Sequence, residues 1–193
     1  MATVALLRTG FSRQIGPNIE QAACTITLIR GAHTNTIVDT GTPTDRLIIE
    51  SALDAEGLAP EAIHTVVCTH GHADHIGNNN LFPGAFIVVS QNATKGDLFL
   101  AHDWNDGPLV LDDDVYIELA PGHTLKHNVV WAETDEGLVA IAGDTFLHED
   151  DEADRNAWLQ YSELPDQHVE TRRRVRDRAT LIVPGHGPMF PAK

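Results

Sequence analysis

The chain has 193 residues, 42% hydrophobic and 21% charged, and 28 acidic against 13 basic side chains leave a formal charge of −15. That length describes one globular domain, residues 1–193, able to bury a core without disulfides. Two cysteines, Cys24 and Cys68, exclude a disulfide-framed scaffold, and the acidic balance sets the expectation against DNA and against a membrane surface as partners. No apolar run approaches the roughly 18 residues of a membrane span. Arg8 interrupts the apolar stretch Val4–Leu7 before it could serve as a signal-peptide core, so the expected location is cytoplasmic. Acid excess beside only three lysines, Lys95, Lys126 and Lys193, fits either plain solubility or adaptation to high salt.

In chain order, short β-branched runs predict strands at Val4–Leu7, Ala23–Ile29, Thr36–Val38, Ile63–Val67, Ala85–Val89, Val115–Leu119, Val129–Ala132, Val139–Ala142 and Leu181–Val183. Between the third and fourth, Pro43–Gly57 predicts a helix with Leu47, Ile48, Ser51, Ala52 and Ala55 at helical spacing, Thr42 as its N-cap and Gly57 as its stop. Further helices are expected from about Glu152 to Trp158 and over Asp166–Arg178, the latter turning Val169 and Val175 to a sheet. Asp97–Asp114 and His148–Asp154 read as acidic loops. Strands mixed with helices indicate an α/β layered domain.

The chemistry concentrates directly after the strand Ile63–Val67, in Thr69-His70-Gly71-His72-Ala73-Asp74-His75. A lone histidine is ordinarily a packed or surface residue, but three imidazoles and a carboxylate within six positions are hard to explain by packing. Neutral imidazole nitrogens and carboxylate oxygens suit Zn, Fe or Mn. Alternation on an extended loop sends His70 and His72 one way and leaves Asp74 and His75 free to face a second ion. Single candidate ligands follow where strands give way to loops: His123 in Pro-Gly-His, Asp144 in Gly-Asp and His186 in Pro-Gly-His. Together they make seven N/O ligands, enough for two divalent ions if Asp144 bridges them and a hydroxide completes both shells.

The remaining polar and soft residues have plainer readings. Cys24 and Cys68 lie in apolar runs and read as buried small hydrophobes. His127 reads as an ordinary surface histidine. Trp131 and Trp158 read as packing residues. The run Arg172-Arg173-Arg174 with Arg176 and Arg178 spreads around a helix and reads as a solvated face in preference to a phosphate-binding patch.

With H-x-H-x-D-H at His70–His75, Asp39 in Val38-Asp39-Thr40-Gly41, and the His123, Asp144 and His186 motifs in order, the chain resembles the metallo-β-lactamase superfamily. The resemblance implies a four-layer αββα sandwich, with His70, His72 and His123 on one metal, Asp74, His75 and His186 on the other, and Asp144 between. It implies that Asp39 orients ligands by hydrogen bonds; Asp74 is expected to orient the metal-held hydroxide and later shuttle a proton. Zn is the first expectation for both ions. Cys68–Asn78, Leu81–Ala85, Trp158 with Ser162-Glu163, and the ending Val183–Pro188 resemble one subfamily in particular, which implies phosphodiester cleavage of RNA. A thioesterase or lactonase acting on a small molecule is the alternative, and a mononuclear iron persulfide dioxygenase a more distant one. Thr124-Leu125-Lys126 stands where many members have Thr-x-Gly-Ser, and no late cysteine is available as a ligand, unlike in several true β-lactamases. Few residues follow His186, so substrate is expected to be held by this domain's own loops or by a partner subunit, as in a homodimer.

Overall fold

The computed structural model describes residues 1–193, the side chain of Glu152 apart. Its strands are β1 (Thr3–Arg8), β2 (Phe11–Gly16), β3 (Ile19–Ala23), β4 (Ile26–Arg30), β5 (Asn35–Val38), β6 (Thr65–Cys68), β7 (Phe86–Val89), β8 (Asn92–Lys95), β9 (Leu98–Leu100), β10 (Leu109–Asp112), β11 (Val115–Leu119), β12 (Asn128–Thr134), β13 (Gly137–Gly143), β14 (Leu181–Pro184) and β15 (Phe190–Pro191). The helices are α1 (Arg46–Ala55), α2 (Arg155–Leu159) and α3 (Pro165–Arg178). One sheet runs β1-β4-β5-β6-β7-β8-β9, a second β10-β11-β12-β13-β14-β15, and β2 and β3 form a separate hairpin.

Alternation along the strands makes each sheet apolar on both faces, which requires a layer on either side. Ile29, Val38, Val67 and Val88 of the first sheet meet Ile117, Val130, Ile141 and Val183 of the second in a shared core. The outer face of the first sheet, Leu28, Ile37 and Val66, is covered by Ile49 and Leu53 of α1. The outer face of the second, Val129, Trp131 and Ile182, is covered by Val175 of α3. The result is the four-layer αββα sandwich.

Strand direction sets where the loops gather. Strands β5, β6 and β7 are parallel, as are β13 and β14, while β11 is antiparallel to β12 and β12 to β13. Strand β11 therefore runs with β13. The loops that leave β5 and β6 consequently emerge at one end of the first sheet and those that leave β11, β13 and β14 at one end of the second, and the contact of Asp144 with His75 shows that the two ends meet.

Several expectations are corrected. Helix α1 starts at Arg46, and its N-terminal flank is Asp45, whose carboxylate accepts from the N–H and hydroxyl of Thr42 (2.6 and 2.7 Å), in place of a Thr42 cap. The buried face is Ile49 and Leu53, while Leu47 is 76% exposed and Ile48 46%. Buried Asp45 pairs with Arg8 of β1, a long-range contact that anchors the start of the helix to the first sheet. Asp97–Asp114 contains the whole of β9 and β10, and His148–Asp154 contains a 3-10 turn at Glu149–Glu152. Val175 faces the sheet as expected, but Val169 is exposed. No helix among the described residues is long and apolar enough to cross a membrane.

Leu53→Ala should destabilise the chain by about 2–5 kcal/mol in denaturant unfolding. Leu47→Ala should change stability by less than about 0.5 kcal/mol. Equal costs would show that the buried face of α1 is misassigned.

Candidate metal centre

The loop after β6 closes on itself through the His75 N–H and the His72 carbonyl (3.0 Å), and Thr40 N–H ties its end to β5 by donating to the His75 carbonyl (2.8 Å). Asp39, with φ near +60°, takes a left-handed conformation unusual for a non-glycine residue. That turn aims its carboxylate under the loop, where it accepts from Thr69 N–H (2.8 Å), from the Thr69 hydroxyl (3.0 Å) and from His75 Nδ1 (2.8 Å). With its proton committed to Asp39, the Thr69 hydroxyl accepts from His70 Nδ1–H (3.1 Å). One buried carboxylate thus sets the tautomer of two histidines and leaves both Nε2 atoms pointing away from it.

Across the gap, His186 Nδ1 donates to the Ala23 carbonyl (3.2 Å), so its Nε2 also faces inward. Asp144 stands between the two sides. Its Oδ2 is 3.3 Å from His123 Nε2 and 3.8 Å from His70 Nε2. Its Oδ1 is 3.3 Å from both His75 Nε2 and His186 Nε2. A Cβ at position 185 would lie 1.9 Å from Asp144 Oδ1, so only Gly185 permits this approach. His72 Nδ1 lies 3.1 Å from His123 Nε2, and Asp74 Oδ2 3.8 Å from both His75 Nε2 and His186 Nε2.

The side chains fall into two groups in which candidate ligand atoms lie within 4.8 Å of one another: His70, His72, His123 and Asp144, and Asp74, His75 and His186. The structure therefore brings together all seven residues proposed from the sequence, with Asp39 directly behind them.

Electrostatics makes this arrangement costly without a further positive centre. Buried His70 Nε2, His75 Nε2 and Asp144 Oδ1 have no hydrogen-bond partner. Burial pushes the His70 and His123 imidazoles down, while for His75 and His186 the neighbouring carboxylates outweigh burial and push their pKa values up. Burial disfavours the Asp144 carboxylate, yet His75 and His186 hold it well below the usual carboxylate range. Unpartnered imidazole nitrogens converging on carboxylate oxygens are the donor set that holds Zn, Fe or Mn, so the residues present fit a metal centre.

A cavity of about 150 Å³ opens onto the cluster, and beyond the metal-type residues its wall includes Ser12, Glu20, Leu147 and Tyr161. These are residues that the sequence did not flag. Ser12 and Glu20 belong to the β2–β3 hairpin, whose Ser12 hydroxyl meets His148 Nε2 (2.8 Å), and Tyr161 donates to Glu20 (3.1 Å) across the mouth. Nothing in their sequence neighbourhood marks them, because the hairpin reaches the site only through the fold. His127 is corrected: it is fully buried and stacks on His70 at 4.9 Å between ring centroids. Cys24 and Cys68 are both buried, and burial raises both thiols.

The arginine run is also corrected. Arg172 is buried, Arg174 donates to the Leu119 carbonyl (2.5 Å) and Arg176 to the Ala192 carbonyl (2.9 Å). Arg178 pairs with Glu118 (2.6 Å), and exposed Arg173 pairs with Glu170 and Asp177 (both 2.6 Å). The helix face is a set of ties to its own surroundings.

The profile of the metallo-beta-lactamase superfamily matches residues 20–186, a span that holds all seven clustered side chains and Asp39. The chain belongs to that superfamily. It is 38% identical over 192 residues to metallo-beta-lactamase domain-containing protein 1 of Xenopus laevis, covering 97% of this chain and 81% of the relative. It is 42% identical over 158 residues to the Homo sapiens protein of the same name, covering 80% of this chain and 58% of that one. Among solved structures, a protein from Thermotoga maritima superposes with a TM-score of 0.76 at 20% identity, covering 98% of this chain and 99% of the other. An N-acyl homoserine lactone hydrolase, with its product bound at the catalytic metal centre, superposes at 0.66 with 16% identity, covering 96% and 92%. The superfamily assignment supports a hydrolase that uses metal, and the structural likenesses support the fold.

The Asp39–His75 pair predicts a pH signature in chelator-treated protein. Because the carboxylates raise the folded pKa of His75, the stability from this pair is complete below the unfolded histidine value of about 6.5 and is lost as pH rises through the higher folded value. The stability advantage of the unsubstituted chain over Asp39→Asn should therefore shrink as pH rises above about 6.5 in urea unfolding. An advantage that grows over that range would show that His75 is neutral in the metal-free fold.

Proposed function

We propose that this chain is a zinc-dependent hydrolase that cleaves an ester-like bond, with one ion held by His70, His72 and His123, a second by Asp74, His75 and His186, and Asp144 shared. The observation that carries the reading is the division of Asp144: one carboxylate oxygen faces His70 and His123, the other His75 and His186. A mononuclear iron dioxygenase has no need of the second group, which here is complete. Bound ions would bring the pKa of a water to about 7 and polarise the bond under attack.

The chain's own groups do the rest. Asp74 lies on the cavity wall with its carboxylate partly open, where it can accept the attacking water's proton and return it to the leaving group. His75 and His186 are locked by Asp39 and the Ala23 carbonyl, so the two sides keep their spacing through the reaction. Tyr161 and Glu20 at the mouth offer a donor and an acceptor for the flanks of a substrate.

Two observations favour a short uncharged ester, lactone or thioester over RNA. Glu20 and Asp74 give the cavity wall negative charge, which opposes a phosphate backbone. The arginines that could have gripped a phosphate backbone are engaged with carboxylates and carbonyls of the chain itself. Resemblance to the subfamily supports RNA as the second reading.

A panel of lactones, thioesters and RNA, assayed with and without oxygen, tests the proposal. Turnover should continue without oxygen and rise with pH to a limb near about 7. Asp144→Ala should lose metal and at least about a hundredfold in rate. Oxygen consumption with a persulfide and one iron per chain would contradict the hydrolase reading, and RNA cleavage without ester hydrolysis would reverse the order of substrates.

A further inference from the structure

The turn that presents Asp144 is gripped from behind by α3. The carbonyl of Thr145 accepts two side-chain hydrogen bonds, from Arg172 Nη1 (2.8 Å) and His168 Nε2 (3.0 Å). Burial pushes His168 down to about 4, so its ring is neutral at pH 7. Its Nδ1 accepts the Ser162 hydroxyl (2.5 Å), which leaves Nε2–H as the donor to Thr145. The Arg172 guanidinium lies between the rings of Phe146 (4.1 Å) and Trp158 (4.3 Å). It also contacts Asp151 (3.3 Å), whose Oδ2 accepts the N–H of Leu147 (2.7 Å). Each of the three residues after Asp144 is therefore held by Arg172 or by its carboxylate partner.

The same helix face braces the neighbouring ligand loop. Thr171 donates to the Pro121 carbonyl (2.7 Å), and a Cβ at position 122 would lie 2.5 Å from the Cα of His168, so Gly122 lets the His123 loop rest on α3. Arg172 is 5% exposed, and a buried ion pair is a poor source of stability in itself because desolvation offsets the attraction. What Arg172 supplies is placement: a planar cation that donates to one backbone carbonyl and stacks on the next side chain cannot move without carrying the turn with it.

We propose that Arg172 is the positioning residue for Asp144, holding the carboxylate midway between the two imidazole groups through the Thr145 carbonyl and the Phe146 ring. This rests on the reading of the cluster as a metal centre. Arg178 supplies a matched control, since it belongs to the same helix and stacks on Trp131 (4.2 Å) while bonding Glu118 (2.6 Å), but its ties do not reach a ligand-bearing turn.

The test compares Arg172→Met, which keeps an aliphatic side chain between the rings but no donors, with Arg172→Lys and Arg178→Met. Each protein is purified with the metal it carries and read by zinc loss to a chelator and by amide exchange at Phe146 and Leu147. In Arg172→Met zinc should leave roughly ten to a hundred times faster and both amides should exchange faster. Arg172→Lys should fall between that variant and the unsubstituted chain, while Arg178→Met should match the unsubstituted chain on both readouts despite a lower Tm. Equal effects of Arg172→Met and Arg178→Met, or no effect of Arg172→Met, would overturn the inference. If Arg172→Met does not fold, Arg172→Lys against Arg178→Met decides by the same criteria. If the unsubstituted chain holds no metal, the metal-centre reading fails on its own, and unchanged exchange at Phe146 and Leu147 would overturn the Arg172 inference separately.

Discussion

The site depends on one unusual solvation problem: a buried carboxylate, Asp144, faced by four imidazole Nε2 atoms at 3.3–3.8 Å with little water to screen it. Burying an isolated carboxylate is prohibitive, and burial of several cations beside it is no better unless charges alternate. In the metal-free fold the neighbouring carboxylates favour the protonated forms of His75 and His186, while burial favours the neutral forms of His70 and His123. Cations in the two pockets would relieve both demands at once, since they favour neutral imidazoles and an ionised carboxylate.

The rest of the molecule can be understood as the means of holding that arrangement. Loops from two sheets must meet at one edge, and the shared direction of β5 and β6 in the first sheet and of β11, β13 and β14 in the second gathers them for it. Each sheet then brings a support from its own side. Asp39 ties the loop after β6 to β5 through Thr69 and His75, and α3 braces the loops after β11 and β13 through Thr171, His168 and Arg172. Such indirect supports matter because a ligand displaced by an ångström no longer serves two neighbours.

Much of this was legible in the sequence where the signal was local. Strands buried on both faces announce themselves as β-branched runs, and the histidine cluster cannot be mistaken for packing. Strands β2 and β3 were not legible, because residues such as Arg13, Gln14, Glu20 and Gln21 give a hairpin with little buried side no apolar pattern to read. The phase of α1 escaped for another reason: Leu47 and Ile48 are as apolar as Ile49, and which of them is buried is decided by packing on strands distant in the chain, with Leu28, Ile37 and Val66 receiving Ile49 and Leu53. His127 and Arg172 look like surface residues because histidine and arginine usually are. Their burial follows from tertiary partners, the ring of His70 and the rings of Phe146 and Trp158.

The placement of Asp144 between two ions can be tested in crystals of the protein purified without added metal, by anomalous scattering at the absorption edge of whichever metal elemental analysis finds. Two peaks roughly 3.5–4 Å apart are expected, one among His70, His72 and His123 and one among Asp74, His75 and His186, with the Asp144 carboxylate touching both. A single peak on the first three histidines, with Asp74, His75 and His186 joined only by hydrogen bonds, would contradict it.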